Sequence, residues 1–386
     1  MDNTHVMILA GEASGDAHAA EFALQLKKLH PEIRLSGMGS HEMQQAGVEV
    51  FFDSSIIAVV GLVEVIKHWS DIKQAMAIVK KKINETQPDI LVLVDYPEFN
   101  LKMAKYAQSL GIKVLFYISP QVWAWRPKRI HKIGRLIDHM AVIFQFELTY
   151  YERAGIPASF VGHPLVGKVQ TSSSVEATRL QLGLGADDRV IGLFPGSRQS
   201  EILRLLPLML DTARTMQQQE PGLKFLLPVA TTLDLESIRQ QCDDSGVEIL
   251  VCRDNIYDLI SSCDAIATCS GTVTLEIALL GVPMCILYKM SSISYFIMSR
   301  LITIPHIGLA NIVAGSAVVR ELLQDDANAD ALSRELFELI NDHNYREKVQ
   351  TGLSRVRDNL GHENGAENVA NLILELAQNT NLSKRN

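Results

Sequence analysis

The sequence predicts an α/β protein of two Rossmann-like domains facing across a cleft, and three observations point that way. The strand-and-turn opening Val6–Ala10 with Gly11-Glu-Ala-Ser-Gly-Asp16 has a counterpart in Val190–Phe194 with Pro195-Gly-Ser-Arg198. Both halves alternate short apolar runs with segments of helical spacing, the pattern of a parallel sheet covered by helices. The length, 386 residues with 47% hydrophobic, exceeds what one core usually holds and suffices for two.

In chain order, the first half places strands at Val6–Ala10, Ile90–Val94, Val114–Ile118 and Met140–Phe144. The second places them at Val190–Phe194, Phe225–Val229, Glu248–Val251, Ala265–Thr268 and Met284–Leu287. Lys168–Ser174 has linker composition, which puts a hinge there. Beyond about residue 320, Leu353, Val356 and Leu360, then Val369, Leu372, Ile373 and Leu376, are spaced for buried helical faces. The expected division is 1–168 joined by C-terminal helices 345–386 packing back on it, and 169–344 as the second domain.

Net charge −8 disfavours nucleic acid as a partner. The five cysteines lack Cys-x-x-Cys spacing and read as buried thiols of a reducing compartment. The first apolar run is short, without a basic flank or cleavage-like end, so no signal peptide is expected. The longest uninterrupted apolar run, Ile277–Tyr288, contains Gly281 and Pro283 and falls short of the ~20 residues a membrane span needs. Leu62, Val65, Ile66, Trp69, Ile72, Met76, Val79 and Ile83 follow helical spacing beside Lys67, Lys73 and Lys80–Lys82. With the apolar stretch Ile286–Pro305, they permit shallow contact with an anionic bilayer.

Four segments carry chemistry. Asp95 closes the run Ile90–Val94, where open α/β sheets place functional side chains, and suits a general base or a helix cap; Glu98 stands nearby to share the work. Ser119-Pro-Gln-Val-Trp-Ala-Trp-Arg126 with Lys128 and Arg129 offers flat aromatic faces and guanidinium forks for a ligand carrying sugar and phosphate, although Trp123 equally suits the core. Ser270, Gly271 and Thr272 lead into a helix with Glu276 one turn inside, a cradle for a diphosphate and a carboxylate for ribose hydroxyls. Gly196, Ser197 and Arg198 form a second such turn, with Arg198 placed to neutralise departing phosphate. His163, in Gly162-His-Pro164, suits either a ligand contact or a turn hydrogen bond. No Asp-x-Asp, Walker or zinc-protease motif occurs, so no metal and no cofactor is expected.

Taken together, Gly11–Asp16, Val92–Asn100, Ser119–Arg126, Pro195–Arg198, Ser270–Thr272 with Glu276, and Asn311-Ile-Val-Ala-Gly315 resemble the lipid-A-disaccharide synthase family over nearly the whole chain. The resemblance implies a glycosyltransferase B fold and an inverting transfer. UDP-2,3-diacylglucosamine would be joined to 2,3-diacylglucosamine 1-phosphate (lipid X) through a β-1,6 bond, releasing UDP, on the cytoplasmic face of the inner membrane of a Gram-negative bacterium. It assigns the essential aspartate to Asp95 and the essential arginine to Arg198. It carries nucleotide contacts onto Gly271, Thr272, Glu276 and Asn311 and the glycine-rich first turn onto Glu12, Ser14 and Gly15; read from the residues themselves, Gly196, Ser197, Arg198 and Ser270 join the nucleotide contacts, and Trp125, Arg126 and Arg129 the substrate contacts. A homodimer through the C-terminal helices is also implied. Tyr96, Glu98 and Gln121 depart from residues common in the family. Two rivals are a UDP-N-acetylglucosamine 2-epimerase on the same fold and a non-catalytic nucleotide-sugar binding module.

Overall fold

The computed structural model describes residues 4–57, 69–125, 127–291, 304–362 and 364–383. The chain divides into two compact units, one formed by residues up to Pro164 together with those from Gly361 onward, the other by Leu165–Leu360.

The first unit holds a parallel sheet of β1 (His5–Ala10), β2 (Arg34–Gly39), β3 (Glu49–Asp53), β4 (Ile90–Val94), β5 (Lys113–Tyr117), β6 (His139–Val142) and β7 (Ala158–Phe160), in the order β3-β2-β1-β4-β5-β6-β7. The period-2 alternation of a strand explains why β1 is apolar throughout. Val6, Ile8 and Ala10 face one buried layer, which includes Phe22 and Leu26 of the helix Ala13–Leu29 and Val369 and Ile373 of the C-terminal helix Gly365–Ser383. Met7 and Leu9 face the opposite layer, with Ile72, Val79 and Ile83 of the helix Trp69–Thr86 and Phe99, Met103 and Ala107 of the helix Pro97–Ser109.

In the second unit β8 (Val190–Phe194), β9 (Lys224–Pro228), β10 (Ile249–Cys252), β11 (Ala265–Cys269), β12 (Met284–Tyr288) and β13 (Arg320–Leu323) are ordered β10-β9-β8-β11-β12-β13, again all parallel. In both sheets the order reverses beside the first strand, between β1 and β4 and between β8 and β11. Ligands of open α/β sheets bind at the carboxyl ends of strands at such a reversal.

Several expectations are corrected. β2, β3, β7 and β13 escape the apolar-run criterion because they are short or interrupted by polar residues and glycine. The stretch Lys168–Ser174 is no free linker: Asp258 accepts from Ser172 N at 2.7 Å and Ser173 N at 3.3 Å, and Ser174 caps the helix Val175–Gln181. The helix His343–Leu360, expected with the first domain, belongs to the second unit. There Gly352 lies so close to Val318 that a Cβ would meet its side chain at 2.6 Å, and Asn359 Nδ2 donates to Val313 O at 2.9 Å. Only the helix Gly365–Ser383 returns to the first sheet. Of the two apolar-basic segments, Leu62, Val65, Ile66 and Lys67 lie outside the described residues, as do 292–303. Ile286 and Leu287 belong to the buried strand β12, unavailable to a bilayer. Among the described residues no helix is long and apolar enough to cross a membrane.

Candidate active site

At the first reversal point, β1 is followed by Gly11 and Glu12 and β4 by Asp95. Gly11 is required by packing: a Cβ there would meet the Tyr96 ring at 2.2 Å. Tyr96 in turn donates its hydroxyl to Ile57 O at 3.1 Å. Asp95 and Tyr96 have φ of 45° and 47°, a left-handed conformation that costs non-glycine residues about 1–3 kcal/mol each and persists where the surroundings impose it. Burial pushes the Asp95 carboxyl up to about 6, helped by the charge of Glu12 and opposed by a hydrogen bond from the Tyr96 backbone. A carboxylate so tuned remains mostly ionised at neutral pH and is a stronger proton acceptor than an ordinary aspartate.

Asp95 lines a pocket of about 270 Å³ with Ser119, Pro120, Arg129, Phe144 and Glu147. Arg129 Nη2 donates to Glu98 Oε1 at 2.7 Å, so the exposed Glu98 is paired with the arginine. Trp123 is a core residue: it is buried, stands edge-on to Phe146 with centroids 5.1 Å apart, and donates Nε1 to Glu147 Oε1 at 3.0 Å. Glu147, missed at the sequence level because it lies within the unremarkable run Gln145-Phe-Glu-Leu, is buried beneath this pocket. Burial drives its carboxyl up to about 7, against hydrogen bonds from Trp123 and the Phe144 backbone. His163 packs against Phe144, with centroids 5.0 Å apart. Trp125 lies in the short helix Val122–Trp125, and Arg126 falls outside the described residues. Ser14 is exposed and Gly15 buried at the start of the helix Ala13–Leu29, which Glu12 precedes without making a side-chain cap. Asp16 is structural, accepting from Ser40 N at 2.6 Å and Glu42 N at 2.9 Å.

The second reversal point holds a pocket of about 550 Å³ that gathers Gly196, Ser197, Arg198, Ser270, Gly271, Thr272 and Glu276. The two turns are not equivalent. Glu201 Oε2 accepts from Ser197 N at 3.0 Å and Arg198 N at 3.1 Å, while Oε1 accepts from Arg198 Nη1 at 3.0 Å. Gly196, at φ 116°, makes room for that carboxylate, since a Cβ would meet Glu201 Oε2 at 2.2 Å. Glu201 thus takes the Ser197 and Arg198 N–H groups, so these two are not free as expected, while Gly196 and Ser197 still line the pocket. The helix Val273–Leu280 has no side-chain cap at Thr272, and the space beside Gly271 is open. The positive end of this helix therefore faces the pocket.

Glu276 is half-buried, its carboxyl raised by burial and held by the Tyr257 hydroxyl at 3.5 Å. Arg198 is largely exposed, and Arg253 adds a second cation that sequence reading passed over. Its position just after β10 was the available signal. Asn311 does not line the pocket. Its amide donates to Val319 O and Glu321 Oε1, both at 2.8 Å, and its oxygen accepts from Val318 N at 2.8 Å and Val319 N at 3.0 Å. Those bonds exhaust the side chain's capacity, so Asn311 builds the scaffold instead of touching a nucleotide. Among the described residues no cluster of His, Cys, Asp and Glu is arranged to hold a metal ion.

Against known proteins, the family described as lipid-A-disaccharide synthetase matches residues 6–375. The chain is similar to lipid-A-disaccharide synthase of Geobacter metallireducens, 49% identical over 374 residues that cover 97% of each chain. It is likewise similar to that of Nitrosococcus oceani, 44% identical over 380 residues and 98% of each. Among solved structures it superposes on a glycotransferase of kitacinnamycin with TM-score 0.63 at 14% identity, covering 97% of this chain and 100% of the other. A UDP-GlcNAc 2-epimerase from Neisseria meningitidis, bound to UDP-GlcNAc, gives TM-score 0.59 at 13% identity, covering 97% and 98%. Those structures share the fold of glycosyltransferases and epimerases and decide nothing between the two activities. The sequence matches do decide: the chain belongs to the lipid-A-disaccharide synthetase family.

Proposed function

We propose that the chain makes the lipid A disaccharide by direct inverting transfer, with Asp95 as base and the second unit's pocket holding UDP. As a lipid-A-disaccharide synthase it is a glycosyltransferase, and the epimerase and binding-module readings are not favoured. The observation that carries the mechanism is the Asp95 carboxyl, set at the first reversal point with its proton affinity raised to about 6. Asp95 takes the proton of the acceptor's 6-hydroxyl as that oxygen attacks the anomeric carbon of UDP-2,3-diacylglucosamine. The bond to the diphosphate breaks with inversion, and UDP leaves with the electron pair. Arg198 and the N-terminus of the helix Val273–Leu280 meet the charge gathering on the diphosphate, Glu276 receives the ribose hydroxyls, and no metal takes part. Arg129 meets the 1-phosphate of 2,3-diacylglucosamine 1-phosphate, with Glu12, Ser14 and Gly15 shaping the sugar site.

Peripheral attachment to the cytoplasmic face of the inner membrane, and a homodimer through the C-terminal helices, belong to the same reading. The exposed Trp69, flanked by Lys73 and Lys102 at 5.7 and 5.3 Å from its ring, supports the former.

The test is incubation of the purified protein with both acylated glucosamines and detection of the disaccharide by mass spectrometry, with and without chelator. Product is expected in both cases and is expected to fall about a thousandfold in Asp95→Asn, the general-base contribution plus misorientation. Near-normal turnover by that variant, or loss of activity on chelation, would overturn the mechanism.

A further inference from the structure

Asn100 lies in the first turns of the helix Pro97–Ser109 and is fully buried. Its side-chain amide, with two hydrogens, faces three carbonyls at one place in the sheet: it donates to Asp95 O at 2.7 Å and shares its other hydrogen between Val94 O at 3.2 Å and Leu9 O at 3.4 Å. One group therefore ties the end of β1 to the end of β4 where the strand order reverses. The orientation of the amide follows from its partners, because turning its oxygen toward three carbonyl oxygens would be repulsive. The Asn100 oxygen is buried and has no hydrogen-bond partner among the described residues. A buried polar atom left unpaired is a cost that an apolar side chain of the same shape would avoid. Asparagine is thus kept here for its donor.

What the donor holds is the backbone that carries the base. The Asp95 carbonyl belongs to the peptide joining Asp95 to Tyr96, two consecutive non-glycine residues in the left-handed region. It receives the shortest of the three bonds. The helix backbone adds a second tie, Asn100 N to Tyr96 O at 3.1 Å. Loosening the amide frees this peptide to relax toward ordinary backbone angles, and the relaxation swings the Asp95 carboxyl away from its pocket.

We infer that Asn100 is the positioning residue of the transfer reaction, its amide clamping the Asp95–Tyr96 peptide so that the Asp95 carboxyl stands in the pocket with Arg129. The inference rests on the reading of Asp95 as the base. Charged and titratable groups around that carboxyl are Glu12 from the end of β1, Tyr96, the Arg129–Glu98 pair and Glu147. A carboxyl released from the half-buried position escapes both desolvation and Glu12, so its proton affinity falls toward the ordinary aspartate range.

The experiment compares Asn100→Leu, similar in size and without a donor, with Asn100→Ser, which keeps one donor. The readouts are kcat, KM for each substrate and the pH profile of kcat/KM, beside the fluorescence-detected unfolding midpoint. Asn100→Leu is expected to lower kcat about 30-fold, as displacement of a reacting group by a fraction of an ångström does, with both KM values within about twofold. Its acid limb is expected to move to lower pH, with Asn100→Ser between it and the parent. If Asn100→Leu fails to fold, Asn100→Ser carries the comparison alone. An acid limb superimposed on the parent's, with activity lost only in proportion to folded protein, refutes the inference while Asp95→Asn remains inactive. An active Asp95→Asn removes the base reading and this inference with it.

Discussion

Replacing Glu147 by Gln should remove a large part of the pH dependence of the first unit's stability. Glu147 is 1% exposed, and its carboxyl is raised from 4.5 to about 7, chiefly by burial. The native state therefore holds the proton more tightly than the unfolded chain. Below pH 4.5 the group is neutral in both states and its contribution is complete. Between 4.5 and 7 the unfolded chain releases the proton first, so stability falls as pH rises, and the loss is complete above 7. A difference from 4.5 to about 7 corresponds to about 3 kcal/mol. Gln is neutral throughout. It keeps an oxygen for the Trp123 bond and gives up the longer one from Phe144 N at 3.3 Å, at a constant cost of about 1 kcal/mol. Trp69, Trp123 and Trp125 are the chain's three tryptophans and all lie in the first unit, so urea titrations followed by tryptophan fluorescence report that unit selectively. The stability of Glu147→Gln minus that of the parent should rise by about 3 kcal/mol from pH 4.5 to pH 8, other titrating groups cancelling in the difference. A difference that stays flat across this range would show that the carboxyl is ordinary and refute the burial argument.

Two further outcomes separate a ligand contact from a scaffold in the second unit. Arg198→Ala removes a largely exposed side chain that pairs with the neighbouring Glu201, so the unfolding midpoint should hardly move, while kcat/KM falls by about 10²–10³ from lost charge stabilisation. Steady-state kinetics beside thermal unfolding will tell, and a rate within threefold of the parent excludes Arg198 from the reaction. Asn311→Ala should behave in the opposite way. It strands Val318 N–H, Val319 N–H and a carbonyl in a buried site and should cost about 3 kcal/mol, while calorimetric UDP affinity of the folded protein changes less than about twofold. A tenfold loss of affinity without destabilisation would restore Asn311 as a nucleotide contact.

The site was legible in the sequence to the extent that it sits at strand ends. Asp95, Pro195–Arg198 and Ser270–Thr272 each follow a continuous apolar run, and such runs announce themselves because strands covered on both faces have no polar alternation. Glu147, Asn100, Glu201 and Arg253 were passed over for a common reason: each is an ordinary polar residue in a helix or loop. Glu147 and Asn100 matter through distant partners, Trp123 and Leu9, whereas Glu201 closes a local capping box on Ser197 and Arg198 that a closer reading of the sequence could have found.

From the sequence alone came the two parallel sheets, the strands that end in functional turns, and the family, since local apolar patterning and motif order are written along the chain. The tertiary structure decided the rest. It showed that Asn311 is spent on its own scaffold and that His343–Leu360 packs with the second unit. It also showed a buried Asn100 amide donating to the Asp95 carbonyl, beside two residues of left-handed backbone. Each of these depends on which polar atoms meet once the chain has closed. Hydrogen-bond capacity is finite, and no local pattern records how it is used.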